Sequence, residues 1–263
     1  MRTDFEFLAL ERVDDHVLVV TYDRPEVANA KNTKMGEEQR EVFESLYVDQ
    51  EDVRCVILTG RGKHFSAGAD LKERNGMTDA QWQRQHAIYE QGAVSLKACP
   101  VPIIAAVNGA AYGGGCETAL GCDFIYASTK ARFALTEITL GIIPGTMGTQ
   151  HLTHAAGDRR AKEIIMTGLP FSAEEGYEWG IVNRVCEPDD LLEVALQTAQ
   201  RISSNAPLAV MRAKRSVTVA RHTDTQTGYL YELEAYNRLV TTQDRREGVL
   251  AFNEKRKPNF KGK

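Results

Sequence analysis

Glu117 and Glu137 are the residues of this chain whose surroundings best suit proton transfer. Glu117 closes the run Asn108-Gly109-Ala110-Ala111-Tyr112-Gly113-Gly114-Gly115-Cys116-Glu117, where a buried-type strand meets three glycines and then a helix-like segment. A helix N-terminus presents unsatisfied N–H groups and the positive end of its dipole. Glycines strip the side chains away, so those amides can reach a ligand oxygen. Negative charge developing on a carbonyl oxygen is stabilised there, and losing one such donor costs about 3 kcal/mol of barrier. Glu117 lies three residues beyond Gly114, on the same helix face, and can point at whatever the amides hold. Glu137 is the only charge between Arg132 and His151, inside the apolar run Phe133 to Gly145. Such surroundings favour the neutral carboxylic acid, which makes Glu137 a candidate proton donor near neutral pH. A third stretch, Phe65-Ser66-Ala67-Gly68-Ala69-Asp70-Leu71-Lys72, follows a strand through a Gly-punctuated loop whose amides are free to donate.

Two carboxylates flanking a backbone anion site suit proton transfer beside a thioester or other acyl carbonyl, one activating water and the other protonating carbon. Glycosidases also use carboxylate pairs, but the amide-rich glycine segments would then have no task. No GxxxxGK[ST] or GxGxxG occurs, so these glycines are not a nucleotide phosphate loop. The plainer alternative is a tight loop and a Gly-rich turn with a solvated glutamate.

The elements that must position these residues alternate in the first half. His16 to Tyr22, Val53 to Thr59 and Val101 to Val107 read as strands, with shorter ones at Cys122 to Ala127 and Arg132 to Leu135. Between them Met35 to Tyr47 has helical spacing, and Ala80 to Leu96 carries a stripe of Trp82, Tyr89, Ala93 and Leu96, read chiefly as core. Repeated β-α-β at this spacing predicts an α/β fold with a largely parallel, covered sheet. The second half reads as helices: Asp158 to Met166, a short one opened by the Ser172/Glu175 capping box, a broadly apolar and buried one from Asp189 to Ser203, one with Pro207 in its first turn, and one from a box-like Asp244/Glu247 start to Arg256. The one soft boundary falls near residue 190, giving a core over 1–190 and a helical region over 191–263.

Composition narrows the classes. The 263 residues are 43% hydrophobic and 26% charged, with a net charge of -4, which excludes a disordered chain. Five cysteines without a CxxC pair predict reduced thiols and a cytoplasmic location. The first residues lack the apolar run of a signal peptide, and the longest apolar run, Val101 to Val107, is far short of the ~20 residues that span a bilayer. The acidic balance argues against a chain-wide nucleic-acid surface, yet residues 245–263 hold seven Lys/Arg against two Glu, a basic tail on an acidic body. Other candidates are weaker. His151 and His154 could be a metal pair, but with no third ligand nearby a solvated helix face is the better reading. Cys116 abuts the glycines without a nearby His, so packing is preferred over nucleophilic work. Asp123 is read as fixing a loop near the site through backbone hydrogen bonds.

In combination, the segments resemble the crotonase (enoyl-CoA hydratase/isomerase) superfamily. The resemblance rests on Asp23-Arg24-Pro25 with Asn29-Ala30, Phe65 to Lys72, Ala105 to Asp123, Glu137 to Gln150, Thr167-Gly168 and Asp244 to Phe260, in that order and spacing. It implies the crotonase (ClpP-like) fold, a spiral of ββα repeats with a C-terminal helical region that makes a homotrimer or a dimer of trimers. It implies an acyl-CoA thioester, coenzyme A being part of the substrate, with no metal or redox cofactor, no nucleic acid and no membrane. The thioester oxygen would meet the amides of Ala69 and Gly114. Glu117 matches the glutamate that activates water, and Glu137 the one that exchanges a proton at the α-carbon. Ala67, Gly68 and Asp70 would line the adenine pocket, Lys72 and Lys255 would meet CoA phosphates, and Phe252 would lie near the tail's contact with the ligand. The intact glutamate pair favours syn hydration of a trans-2-enoyl-CoA to a 3-hydroxyacyl-CoA. The alternatives are a Δ3-Δ2-enoyl-CoA isomerase or a specialised hydratase such as one for methylglutaconyl-CoA; a non-catalytic or RNA-binding member is disfavoured. Three positions depart from the hydratase pattern and bear on the acyl group: Lys31 where an apolar residue usually follows Asn-Ala, Leu135-Thr136 before Glu137 where Gln-Pro is commoner, and Met147 in place of a glycine, where it could narrow the pocket.

Overall fold

The computed structural model describes residues 1–263. Nine strands form two sheets. The larger takes β1 (Leu8–Arg12), β2 (Val17–Tyr22), β3 (Cys55–Gly60), β4 (Ile103–Val107), β6 (Phe124–Ser128) and β9 (Arg184–Cys186), in that spatial order. All its pairings are parallel except the β1–β2 hairpin. The smaller sheet joins β5 (Ala110–Tyr112), β7 (Arg132–Ala134) and β8 (Phe171–Ser172).

The continuous apolar runs of β2, β3 and β4 follow from burial on both faces. Leu18, Val20, Tyr22, Val56, Leu58, Ile103 and Ala105 point into one core, with Met35, Phe43 and Leu46 of α1 (Thr33–Val48). Val17, Val19, Cys55, Ile57, Ile104 and Ala106 point into a second core on the opposite face. There they meet Leu191, Ala195 and Ala199 of α7 (Leu191–Ser203). These residues recur every fourth position, so α7 buries one stripe while Leu192 is exposed; the expectation of a broadly buried helix is corrected to an amphipathic one. The sequence-based division at residue 190 falls just before this helix, whose packing groups it with the sheet.

Each turn of the chain runs through both sheets before a helix. From β3 it reaches Ser66, then α2 (Leu71–Arg74) and α3 (Asp79–Ala98); from β4 it reaches β5, then α4 (Gly114–Gly121); from β6 it reaches β7, then a 3-10 turn over Glu137–Leu140 and α5 (Gly148–Thr167). Ser66 bridges to Ala111, and Ala111 pairs with Phe133, both in parallel. Successive turns are thereby held in register, and this is the repeat that places the site.

Helix ends follow their local chemistry. Asn32 caps α1, Thr78 and Gln81 form a capping box on α3, and Ser172 with Glu175 forms the expected box on α6 (Ala173–Glu178). The helix expected over Asp158 to Met166 is the second half of α5, which breaks at Gly157. Pro207 opens α8 (Pro207–Ala220), and α9 (Thr225–Val240) follows it. The cap of α10 (Gln243–Asn253) is Thr242, not Asp244. Asp244 turns inward instead and accepts the amides of Lys261 and Gly262, which folds the C-terminal segment back. Asp123 accepts the Ile103 amide at 2.8 Å and pairs with Lys214 at 2.7 Å, so it ties α8 to the start of β4 rather than steadying a loop of the site.

Candidate active site

A cavity of about 670 Å³ opens where the three turns meet. It is lined by Ala67, Gly68 and Ala69, by Gly113, Gly114 and Glu117, by Thr136 and Glu137, and by one face of α3. The register explains this convergence. Ala69 lies three residues beyond Ser66, Gly114 three beyond Ala111, and Thr136 three beyond Phe133, and those three reference residues are neighbours across the small sheet. Equivalent points of successive turns therefore stand side by side.

Amides without an acceptor inside the protein gather at this convergence: Ala69 in the first loop, and Gly114, Gly115 and Cys116 in the first turn of α4. In the first loop Phe65 and Ser66 donate to Ala110 O, Ala67 to Ala28 O, Gly68 to Ser66 Oγ and Asp70 to Lys31 O; Ala69 alone donates to nothing. In the second, Gly113 donates to Ala134 O, while Gly114, the first residue of α4, has no partner. The loops touch at glycines. A Cβ on Gly68 would stand 2.6 Å from Tyr112 O and 3.1 Å from the Gly114 nitrogen, and its φ of +88° is itself in the left-handed region. The arrangement is a two-donor cradle at a helix N-terminus, suited to an oxygen that gains negative charge.

The carboxylates flank the cradle in different states. Glu117 is buried, and its Oε1 accepts the amides of Thr146 at 2.7 Å and Gly148 at 2.9 Å. Its Oε2 accepts Thr146 Oγ1 at 2.7 Å. Three donors from one loop thus fix its orientation. Glu137 opens its 3-10 turn and is 9% exposed, with Oε2 buried and unpartnered. Burial, reinforced by the Glu117 charge, pushes its carboxyl up to about 7. A Cβ on Gly113 would come 3.1 Å from Glu137 Oε1, and Gly113 has a φ of +50°, so only glycine lets this carboxylate lie against the loop. One carboxylate is fixed by donors and the other is poised to titrate near neutrality, an arrangement that suits paired acid–base work.

The remaining expected residues divide. Asp70 caps α2 and pairs with Arg24 at 3.1 Å; its carboxyl is desolvated, but Arg24 and the Lys72 and Glu73 amides hold it below the usual carboxylate range. It supports the loop and does not line the cavity. Lys72, Phe252 and Lys255 are exposed, Phe252 at 83%, and this chain does not bring them to the cavity wall. Cys116 is fully buried and its thiol is raised well above its ordinary value by desolvation, in keeping with a packing role. His151 departs from the solvated-face reading: it is buried, lines the cavity, and desolvation lowers its imidazole to about 4, while His154 is exposed. The α3 stripe read chiefly as core serves both: Leu96 belongs to the main core and Tyr89 is buried, while Trp82, His86 and Ala93 join them at helical spacing along the cavity wall. Met147 does not line the cavity; it occupies the left-handed N-cap of α5, φ +73°, between the two residues whose amides hold Glu117. Sequence reasoning missed Thr146 and Arg74. Thr146 carries no signal without its partner, whereas Arg74 was detectable as a charge one turn after Asp70.

Comparison with known proteins shows the family. A family model described as enoyl-CoA hydratase/isomerase matches residues 12–263. A short-chain-enoyl-CoA hydratase of Clostridium acetobutylicum is 40% identical over 242 residues, covering 92% of each chain. A mitochondrial enoyl-CoA hydratase of Pongo abelii is 36% identical over 98% of this chain and 89% of its own. The crystal structure of an enoyl-CoA hydratase from Bacillus anthracis superposes with a TM-score of 0.96 at 40% identity, over 98% of this chain and all of that one. With the spiral, the paired amides and these likenesses together, the chain belongs to the enoyl-CoA hydratase/isomerase family, the crotonase superfamily.

Proposed function

We propose that the protein is an enoyl-CoA hydratase. It adds water across the double bond of a trans-2-enoyl-CoA to give a 3-hydroxyacyl-CoA, and runs in reverse as a dehydratase. The observation that carries this reading is that two buried glutamates, Glu117 and Glu137, line one cavity with the unpartnered amides of Ala69 and Gly114. The thioester oxygen accepts from Ala69 and Gly114, which withdraws electrons from the conjugated double bond. Glu117 takes a proton from water as its oxygen bonds to the β-carbon. Charge moves onto the thioester oxygen, where the two amides stabilise it, and Glu137 delivers its proton to the α-carbon. In an isomerase one carboxylate shuttles a single proton, so the second buried glutamate would be idle.

The reading uses only water and protons besides the thioester, so it calls for no separate cofactor. Ala67 and Gly68 border the adenine end, with Asp70 behind them; Lys72, Phe252 and Lys255 serve the CoA moiety from the surface. Residues 191–263 supply the contacts between copies in a trimer or dimer of trimers. Apolar side chains exposed on α8 to α10, among them Val217, Leu230, Tyr236 and Val249, support that assembly. No helix is long and apolar enough to cross a membrane, and the five thiols are unpaired, which supports a cytoplasmic location. The test is turnover of crotonyl-CoA by the purified protein, followed as loss of conjugated-enoyl absorbance. Hydration to 3-hydroxybutyryl-CoA is expected; migration of a 3-enoyl double bond without hydration would favour the isomerase.

A further inference from the structure

Buried charges in this protein are matched almost everywhere. Asp70 meets Arg24, Glu38 accepts the Glu6 and Phe7 amides, and Asp244 accepts two amides of the C-terminal segment. Two buried cations hydrogen-bond only to neutral groups, and both line the cavity. Lys31 and Arg74 are each 8% exposed, and neither forms an ion pair. They face one aromatic ring: Lys31 Nζ lies 6.0 Å and Arg74 Cζ 5.5 Å from the centre of Tyr89. An isolated buried ammonium is costly, so a cation kept there without a counterion implies an anion that arrives with the ligand.

No internal carboxylate forms an ion pair with either cation. Lys31 donates to Gln39 Oε1 at 2.6 Å and Thr118 Oγ1 at 3.3 Å, which leaves one of its three donors free. Gln39 Oε1 also accepts from Tyr22, and the Thr118 hydroxyl donates to Gly114 O, so neither can offer more. Glu117 is the charge that acts most on Lys31, but its oxygens are held by Thr146 and Gly148. Glu73, beside Arg74, is taken by Thr33 and Gln85. Thr118 Oγ1 lies 3.3 Å from the ammonium and 2.7 Å from the Gly114 carbonyl oxygen, so one hydroxyl links Lys31 to the first residue of α4, whose amide is part of the cradle. A group reaching it from the thioester can be only a few carbons beyond the double bond.

Resting on the hydratase reading, we propose that the acyl pocket selects a short enoyl chain ending in a carboxylate, which Lys31 receives with Arg74 adding positive charge. Desolvation lowers the Lys31 ammonium to about 8, a burden that a bound carboxylate would relieve.

The test compares two five-carbon thioesters, trans-glutaconyl-CoA, which ends in a carboxylate, and trans-2-pentenoyl-CoA, which ends in a methyl group. The wild type is expected to favour the carboxylate by about tenfold or more in kcat/KM, the scale of one charge-assisted hydrogen bond. Lys31→Met is expected to bring the ratio of the two values to about 1. A wild-type preference for the methyl end, or a ratio that Lys31→Met leaves unchanged, overturns the proposal and makes Lys31 an internal hydrogen-bonding residue. Binding of the saturated, unreactive glutaryl-CoA and valeryl-CoA, measured by calorimetry on the wild type, decides the same point without turnover and without a folded variant. If neither enoyl-CoA is hydrated, the hydratase reading fails, while the binding preference still judges the pocket.

Discussion

Glu137 and Glu117 differ in what surrounds them, and the difference has kinetic consequences. Glu137 is desolvated and lies near a second carboxylate, so its carboxyl is raised to about 7. In the proposed mechanism hydration needs one proton on the pair, on Glu137, and dehydration needs the tautomer with that proton on Glu117. Both directions draw on the same singly protonated pair, so kcat/KM is expected to fall about tenfold per pH unit above 7 in both. A pH profile of crotonyl-CoA hydration checks this, and a flat profile to pH 9 contradicts the assignment. The same shift affects stability. The folded state holds this proton more tightly than the unfolded chain does, so the contribution is full below pH 4.5 and is lost as pH rises through about 7. Glu137→Gln is therefore expected to raise the thermal midpoint at pH 8 relative to the wild type by more than it does at pH 4.5.

At the scale of elements, two short segments carry the site. The amide of Gly114 is the first of α4, a position where proline fits a helix, and a Cβ there meets nothing nearer than the Gly68 Cα at 4.0 Å. Gly114→Pro removes this donor, and kcat is expected to drop about 10²- to 10³-fold, read from initial rates on a variant shown to be folded. Met147 holds a left-handed conformation that costs a residue with a Cβ about 1–2 kcal/mol. Met147→Gly is expected to stabilise the protein by about 1 kcal/mol in urea unfolding, after glycine's own entropy is counted. The strands β2, β3, β4, β6 and β7 and the helices α1, α3, α6 and α7 were legible in the sequence to within a few residues, because apolar periodicity and capping residues are local signals. The candidate carboxylates and glycine loops were legible as well. What was hidden depended on register. Nothing local says that Ser66, Ala111 and Phe133 are neighbours, so the meeting of Ala69 with Gly114, the grip of Thr146 on Glu117 and the cavity role of Trp82 and Tyr89 emerge only when the turns stack.

For the whole molecule, the acidic body and basic tail take on a more specific form. Arg256 in the tail is committed to Glu247 and Glu254, which leaves Arg245, Arg246, Lys255, Lys257, Lys261 and Lys263 as cations without an ion pair. The apolar side chains of α8 to α10 face outward beside them, and a second copy is the partner proposed to cover them. Paired Leu230→Glu and Tyr236→Glu changes are expected to reduce the sedimenting species from a trimer or hexamer to a single chain; an unaltered assembly would place the interface elsewhere. The central claim remains that two carboxylates share one proton across a pair of backbone amides. The most direct measurement is crotonyl-CoA turnover by Glu117→Gln and Glu137→Gln, each compared with the wild type alongside thioester affinity. The account predicts that each loses about 10³-fold or more in kcat with affinity changed only slightly. Near-wild-type turnover by either variant would contradict it.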